Sequence, residues 1–154
     1  MKKTILTALS VAALSGCASH LDHTAKQTQI CEPITESQVI GLFDRWNNSL
    51  QTGDPKAVVA NYAPRSILLP TVSDQNRLTS AEKEDYFIHF LKDQPFGEVT
   101  ARQIDIGCNT VTDSGYYTFN MKRTGKPVHG RYTYTYHWQN GQWLITHHHS
   151  SKLP

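Results

Sequence analysis

The chain has 154 residues, 38% of them hydrophobic and 18% charged, a balance that suits one globular domain and excludes a disordered or fibrous chain. Its formal charge of +2 resides in Lys2 and Lys3 at the extreme N-terminus. Without them thirteen basic residues face thirteen acidic ones, no basic stripe remains, and composition argues against nucleic acid as a partner.

Taken in chain order, the first element is an address. Lys2 and Lys3 form a basic start, Thr4 to Ala13 is apolar but too short to span a bilayer, and "LSGC" ends on Cys17. The pattern resembles a bacterial lipobox, which implies a signal peptide over residues 1–16 and a lipidated Cys17; an ordinary secretory signal is the alternative. Ala18, rather than aspartate, follows the cysteine. In a Gram-negative cell that resembles sorting to the outer membrane, facing the periplasm, with acyl chains holding the protein at the surface without spanning it. Residues 17–33 then read as a lipidated tether, polar and without period from Ala18 to about Gln29. The folded domain is expected over 34–154.

Thr35 and Gln38 make a capping box, with Ile34 and Val39 placed as a hydrophobic staple. The helix that follows carries Val39, Phe43, Trp46 and Leu50 on one stripe. Gly53 suits its end, and Asp54 with Pro55 starts a second helix, "KAVVANYA", halted by Pro64. "SILLP" reads as a short buried strand. Thr79 and Glu82 cap a third helix that buries Phe87, Phe90 and Leu91. Strands rich in Thr, Tyr, Ile and Val come next: "EVTARQIDIGCNTV", "GYYTFNMKR", "VHGRYTYTYHW" and "QWLITHHHS". Their predicted breaks are "TDSG", "TGKP" and "QNG". Helices first and an antiparallel meander afterwards predict an α+β fold, with helices on one face of a bent sheet.

In an exported, oxidising setting the remaining cysteines, Cys31 and Cys108, are expected to pair. The bond would close a loop of about 78 residues and contribute roughly 4 kcal/mol in the chain-entropy model. Two buried thiols or a catalytic thiol are the alternatives, and no Cys/His motif supports the latter.

The segments "LQTGDPKAVVANYAPRSILLP", "EKEDYFIHFL" and "RYTYTYHWQNGQWLITHHHSS" resemble the association domain of calcium/calmodulin-dependent protein kinase II. More closely they resemble its stand-alone bacterial relatives in the nuclear transport factor 2-like (SnoaL-like) superfamily. The resemblance covers about Thr35 to Ser151. It implies a cone: a strongly bent antiparallel sheet around the first helix, a pocket at the open end, and an outer sheet face that makes dimers. The kinase domain's pocket arginines bind small carboxylates, but the matching positions here are Tyr134 and Ser150, and the nearest guanidinium is Arg131, of opposite strand parity.

Side chains alternate along a strand, so His147, His148 and His149 cannot act as one cluster. A two-residue loop at Asn140-Gly141 puts Tyr132, Tyr134 and Tyr136 with His147 and His149. A three-residue loop puts them with Thr146 and His148. The resemblance favours the second register, which sends His148 to the pocket and His147 and His149 outward near His137. A zinc site from these outward histidines lacks a recognisable further ligand, so neither a metal nor a cofactor is expected. The candidate ligand-binding residues are Trp46, Tyr62, Tyr132, Tyr134, Arg131 and His148. The bland reading of the aromatics, as core residues with satisfied hydroxyls, stands beside this one. The expected function is an envelope-anchored domain holding a small polar or aromatic molecule without turnover. The alternatives are an isomerase or hydro-lyase with His148 as general base, and a dimeric accessory that presents a protein-binding surface. Asp113 is expected in a turn and Asp105 on a strand of open facing, neither forming a convincing dyad. A homodimer is expected through an outer face bearing Thr133, Thr135, Trp143, Ile145, His137, His147 and His149, weakened by acid as the imidazoles charge.

Overall fold

Two threonines start the two long helices. In α1 (Glu36–Leu50) the Thr35 hydroxyl accepts the Gln38 N–H at 3.3 Å while the Gln38 side chain accepts the Thr35 N–H at 2.8 Å. The reciprocal bond occupies two of the helix's otherwise orphaned donors. The computed structural model describes residues 30–71 and 73–154, so Cys17 and the signal peptide lie outside the described residues. The stripe Val39, Phe43, Trp46 and Leu50 is buried as its spacing requires. Thr79 and Glu82 repeat the capping box at α3 (Ser80–Phe90), which runs on into a single 3-10 turn, Leu91–Asp93.

Between them α2 (Pro55–Val59) starts on Asp54 as expected but is shorter than the sequence suggests. Asn61 Nδ2 donates to the carbonyls of Ala57 and Val58, satisfying the helix end, and Tyr62 begins strand β1 (Tyr62–Leu69). Pro64 therefore sits in a strand. It is tolerated because β1 is an edge of the sheet and its pairing is irregular between Tyr62 and Ile67.

The remaining strands are β2 (Pro95–Gly107), β3 (Thr110–Met121), β4 (Lys126–Gln139) and β5 (Gln142–Lys152). The sheet order is β1-β5-β4-β3-β2, with β1 parallel to β5 and the other pairs antiparallel. The turn between β2 and β3 corrects the expected one. It lies at Cys108-Asn109, where Asn109 is left-handed at φ 56°, and Thr112 to Gly115 lie inside β3. Asn109 tolerates that backbone, and its amide binds Ile30 and Glu32. Cys31 and Cys108 form a disulfide beside it, so residues 30–32, expected in the tether, are fastened to the domain.

The last hairpin holds a second correction. Its loop is the two-residue Asn140-Gly141, both at positive φ as a type I′ turn demands. Alone, that loop would turn His147 and His149 toward the tyrosines. However, Thr135 pairs with His147 and Tyr136 with Ile145, leaving Thr146 as the extra residue of a β-bulge. The bulge reverses the parity, and Tyr134 faces His148 after all. Ile145 and Trp143, expected outside, are core residues, Ile145 being wholly buried.

The inner face of the sheet meets α1 through aromatic rings: Phe43 against Tyr132 and Tyr134, and Trp46 against Tyr134 and Phe119. This is the α+β cone expected, a bent open sheet closed over the first helix. Among the described residues no helix is long and apolar enough to cross a membrane.

Candidate functional site

A cavity of about 360 Å³ opens where the last residues of β1, β3 and β5 and the first of β4 meet α3. Its wall is mostly apolar, with Trp46, Leu68, Tyr86, Phe87, Phe90 and Phe119 supplying much of it. Exposed His89, His129 and Lys152 stand on its lining as well. Gly130 lets the wall pack: a Cβ there would fall 2.6 Å from the Tyr117 ring. The Tyr117 hydroxyl in turn meets Ser150, whose Oγ also meets Thr71. These hydroxyls partner one another.

His148 is 4% exposed and reaches the same cavity. Its ring stacks on Tyr134 with centroids 4.1 Å apart and lies edge-on to Trp46 at 5.3 Å. Nδ1 is 2.7 Å from the Tyr62 hydroxyl, and that hydroxyl accepts the Trp46 indole N–H at 3.2 Å. Nε2 is buried without a partner among the described residues. Burial, with His149 adding to it, pushes the imidazole down to about 3, because desolvation disfavours the charged ring. Burial likewise pushes the Tyr62 and Tyr134 hydroxyls well above their ordinary value.

A second polar group occupies the inner face farther along the sheet. Asp113 is wholly buried, on the rung that joins it to Tyr134 and His148, which corrects its expected place in a turn. Its Oδ1 accepts from Arg102 Nε and from the Tyr132 hydroxyl, each at 3.0 Å. The Arg102 guanidinium lies 5.6 Å from the Phe43 ring centre, within cation–π range. Burial raises the Asp113 carboxyl despite the opposing pull of Arg102 and Tyr132. Burial alone would lower Arg102, but Tyr132 and Asp113 outweigh it and its pKa is raised. Asp113 Oδ2, Arg102 Nη2 and the Tyr134 and Tyr136 hydroxyls are buried without partners among the described residues.

The sequence-predicted residues are thus divided. Trp46 and His148 line the cavity, Tyr62 and Tyr134 stand directly behind His148, and Tyr132 belongs to the Arg102–Asp113 group. Arg131 is exposed, paired across the sheet with Tyr116 and Ser151, and does not line the cavity. The inward guanidinium is Arg102, because bulged β2 brings it to the rung of Gly115 and Tyr132. His137, His147, His149 and Asp105 are exposed, and among the described residues no three possible ligands gather closely enough for a metal ion. The sequence gives no sign of Arg102, and it places Asp113 in a turn rather than buried inside β3. The signal for Asp113 is its parity with Val111, Tyr117 and Phe119, all on the inner face.

The profile of the calcium/calmodulin dependent protein kinase II association domain family matches residues 35–154. That of the prokaryotic membrane lipoprotein lipid attachment site matches residues 1–18. The crystal structure of an association-domain protein of this kind from Xanthomonas campestris is 37% identical, with a TM-score of 0.73, covering 82% of this chain and 96% of that one. A nuclear transport factor 2-like protein from Pseudomonas putida shares the fold at 17% identity and a TM-score of 0.66, over 75% of this chain and 84% of that one. A cystatin-like fold protein from Nostoc punctiforme does so at 15% identity and 0.68, over 80% and 96%. A comparison with curated proteins gives no match. A cone of this topology, matched along its whole length by one profile and at 37% identity by a solved structure, places the chain in the calcium/calmodulin dependent protein kinase II association domain family, behind a lipoprotein attachment site.

Proposed function

We propose that this protein is a lipid-anchored binding module of the cell envelope, holding a small and largely apolar molecule in its cone without turnover. The observation that carries the reading is the cavity of about 360 Å³, walled largely by aromatic and aliphatic side chains with His148 on its lining. Pockets of this size with few placed polar groups suit small ligands. The lipid on Cys17 would tether the domain to the outer membrane on its periplasmic side, with Ala18 as the sorting cue. Turnover through His148 is disfavoured by its pKa of about 3, since a general base works best near the operating pH.

Native mass spectrometry of the lipoprotein purified from the membranes of a native host tests the binding. A bound small molecule, released on unfolding and raising the melting temperature when returned, is the expected result. An empty protein, unresponsive to a broad metabolite library, would refute it. Replacing Cys17 with serine should move the protein from membrane to soluble fractions; unchanged partition would refute the anchor.

A further inference from the structure

The cavity is apolar inside and basic at its mouth. Among the described residues no aspartate, glutamate or arginine lines it. Lys152 does, exposed and two residues beyond Ser150 on β5, so it shares the inner face with that cavity-lining side chain. Its partner across the sheet is Gly130, which sets no side chain beside the ammonium. His89 lines the mouth from α3, and its Nδ1 lies 3.4 Å from the Nζ of exposed Lys92. Lys126 is exposed on β4, two residues before the cavity-lining Val128 and on the same face. His129 does not join them, since its Nδ1 meets the Thr118 hydroxyl at 2.9 Å. Among the described residues these three lysines have no ion-pair partner, while the nearest acids along the chain, Asp85 and Asp93, face Arg77 and Arg123.

Volume limits what can enter. At roughly 30 Å³ for each water-sized group, about a dozen such groups fill a cavity of about 360 Å³. That matches one short alkyl chain and is too small for the paired chains of a whole phospholipid. The Thr71, Ser150 and Tyr117 hydroxyls inside are engaged with one another, so the wall favours methylenes and a polar head stays at the mouth. Lysine is a compact point charge that suits phosphate, whereas planar recognition of carboxylate favours arginine. Residues 30–32 are held by Cys108 and Asn109 at the other end of β3 from the mouth. The mouth is thus not the end that leads to the anchor, and a single-chain amphiphile can reach it from solution. We infer that the cavity takes a single-chain phosphate amphiphile of the lysophospholipid class, its chain among the aromatic rings and its phosphate on Lys152, aided by Lys92 and Lys126. This rests on the binding reading above and names the ligand class for it.

The probe is dodecyl phosphate, and the protein is the exported mature chain with Cys17→Ser, which keeps every described residue and needs no detergent. Titration calorimetry below the micelle concentration should give one molecule per protein. Its affinity is expected to exceed that of dodecyltrimethylammonium about tenfold and that of dodecanoate about threefold, with inorganic phosphate silent at the same concentrations. Lys152→Gln should cut the preference over the ammonium about threefold, as an exposed charge contact would. Equal affinities for the phosphate and ammonium amphiphiles, or a preference indifferent to Lys152→Gln, overturn the placement of an anionic head at the mouth. Dodecanoate binding as tightly overturns the choice of phosphate, and inorganic phosphate binding as tightly overturns the role of the chain. Binding of no probe overturns the class altogether. None of these results touches the native mass measurement, which presupposes no ligand chemistry, so the two readings fail separately.

Discussion

His148 titrates in a direction that destabilises the fold in acid. Its ordinary value is about 6.5, and burial lowers it to about 3 in the folded protein. Between those values the unfolded chain binds the extra proton and the folded one does not, so stability falls as pH falls, by up to about 1.4 kcal/mol per unit. Asp113 opposes this: its carboxyl is raised by burial, so just above the ordinary aspartate range the folded state holds the extra proton. Urea midpoints at pH 7 and 4.5 should therefore show a shallower acid loss in His148→Gln than in wild type. Equal losses would mean that His148 is charged or hydrated in the fold. Asp113 itself holds Arg102 and Tyr132 together through one oxygen. Asp113→Ala should cost roughly 3–5 kcal/mol by stranding the Arg102 charge. Asp113→Asn should cost less, because an amide oxygen still accepts from Tyr132. Denaturant unfolding of the two variants checks the ranking.

At the scale of elements, the sheet bends where backbone approaches backbone. A Cβ on Gly115 would lie 2.0 Å from the Ala101 carbonyl oxygen, beside the irregular pairing of β2 between Val99 and Ala101. Gly41, exposed on α1, has nothing within 4 Å. Alanine at position 115 should thus destabilise by about 3 kcal/mol or more, whereas alanine at 41 should be neutral or gain up to about 1 kcal/mol. Similar effects at the two sites would contradict the close approach. The same bends explain what could be read in advance. Both capping boxes, the α1 stripe and the Cys31–Cys108 pair were legible, since each depends on residues within a few positions or on the chemistry of export. The inward facing of His148 was expected for the wrong reason, because a bulge at Thr146 leaves no local signature in "LITHHHS". Asp113 reads as a turn residue because "TDSG" has the composition of a turn, while Cys108-Asn109 turns instead with help from Ile30 and Glu32, some 77 residues away. Lys83 was equally hidden. It sits in "AEKED" like a solvated residue yet is buried, donating to the carbonyls of Ser66 and Leu78.

For the whole molecule, the outer face of the sheet is what a second copy would cover. Correcting the parity of β5 removes Trp143 and Ile145 from that face and leaves a more polar surface than the sequence suggested. Thr133 and Thr135 lie there half-buried, between exposed Arg131, His137, His147 and His149, with Tyr116 46% exposed on the next strand. Rows of Thr and a tyrosine suit contact across a two-fold axis, where each residue meets its own copy or a near neighbour, and closed dimers are the commonest symmetric assembly. The proposal is a homodimer through this face. Thr135 is central, flanked by Thr112 on β3 and His147 on β5, so Thr135→Arg would place like charges near the axis. Light scattering of the form lacking residues 1–17 should give a dimer for the wild type and a monomer for Thr135→Arg, with the far-ultraviolet spectrum unchanged. A wild-type monomer removes the interface. A dimer that survives Thr135→Arg moves it to another surface, with the exposed edge of β2 the next strand to test.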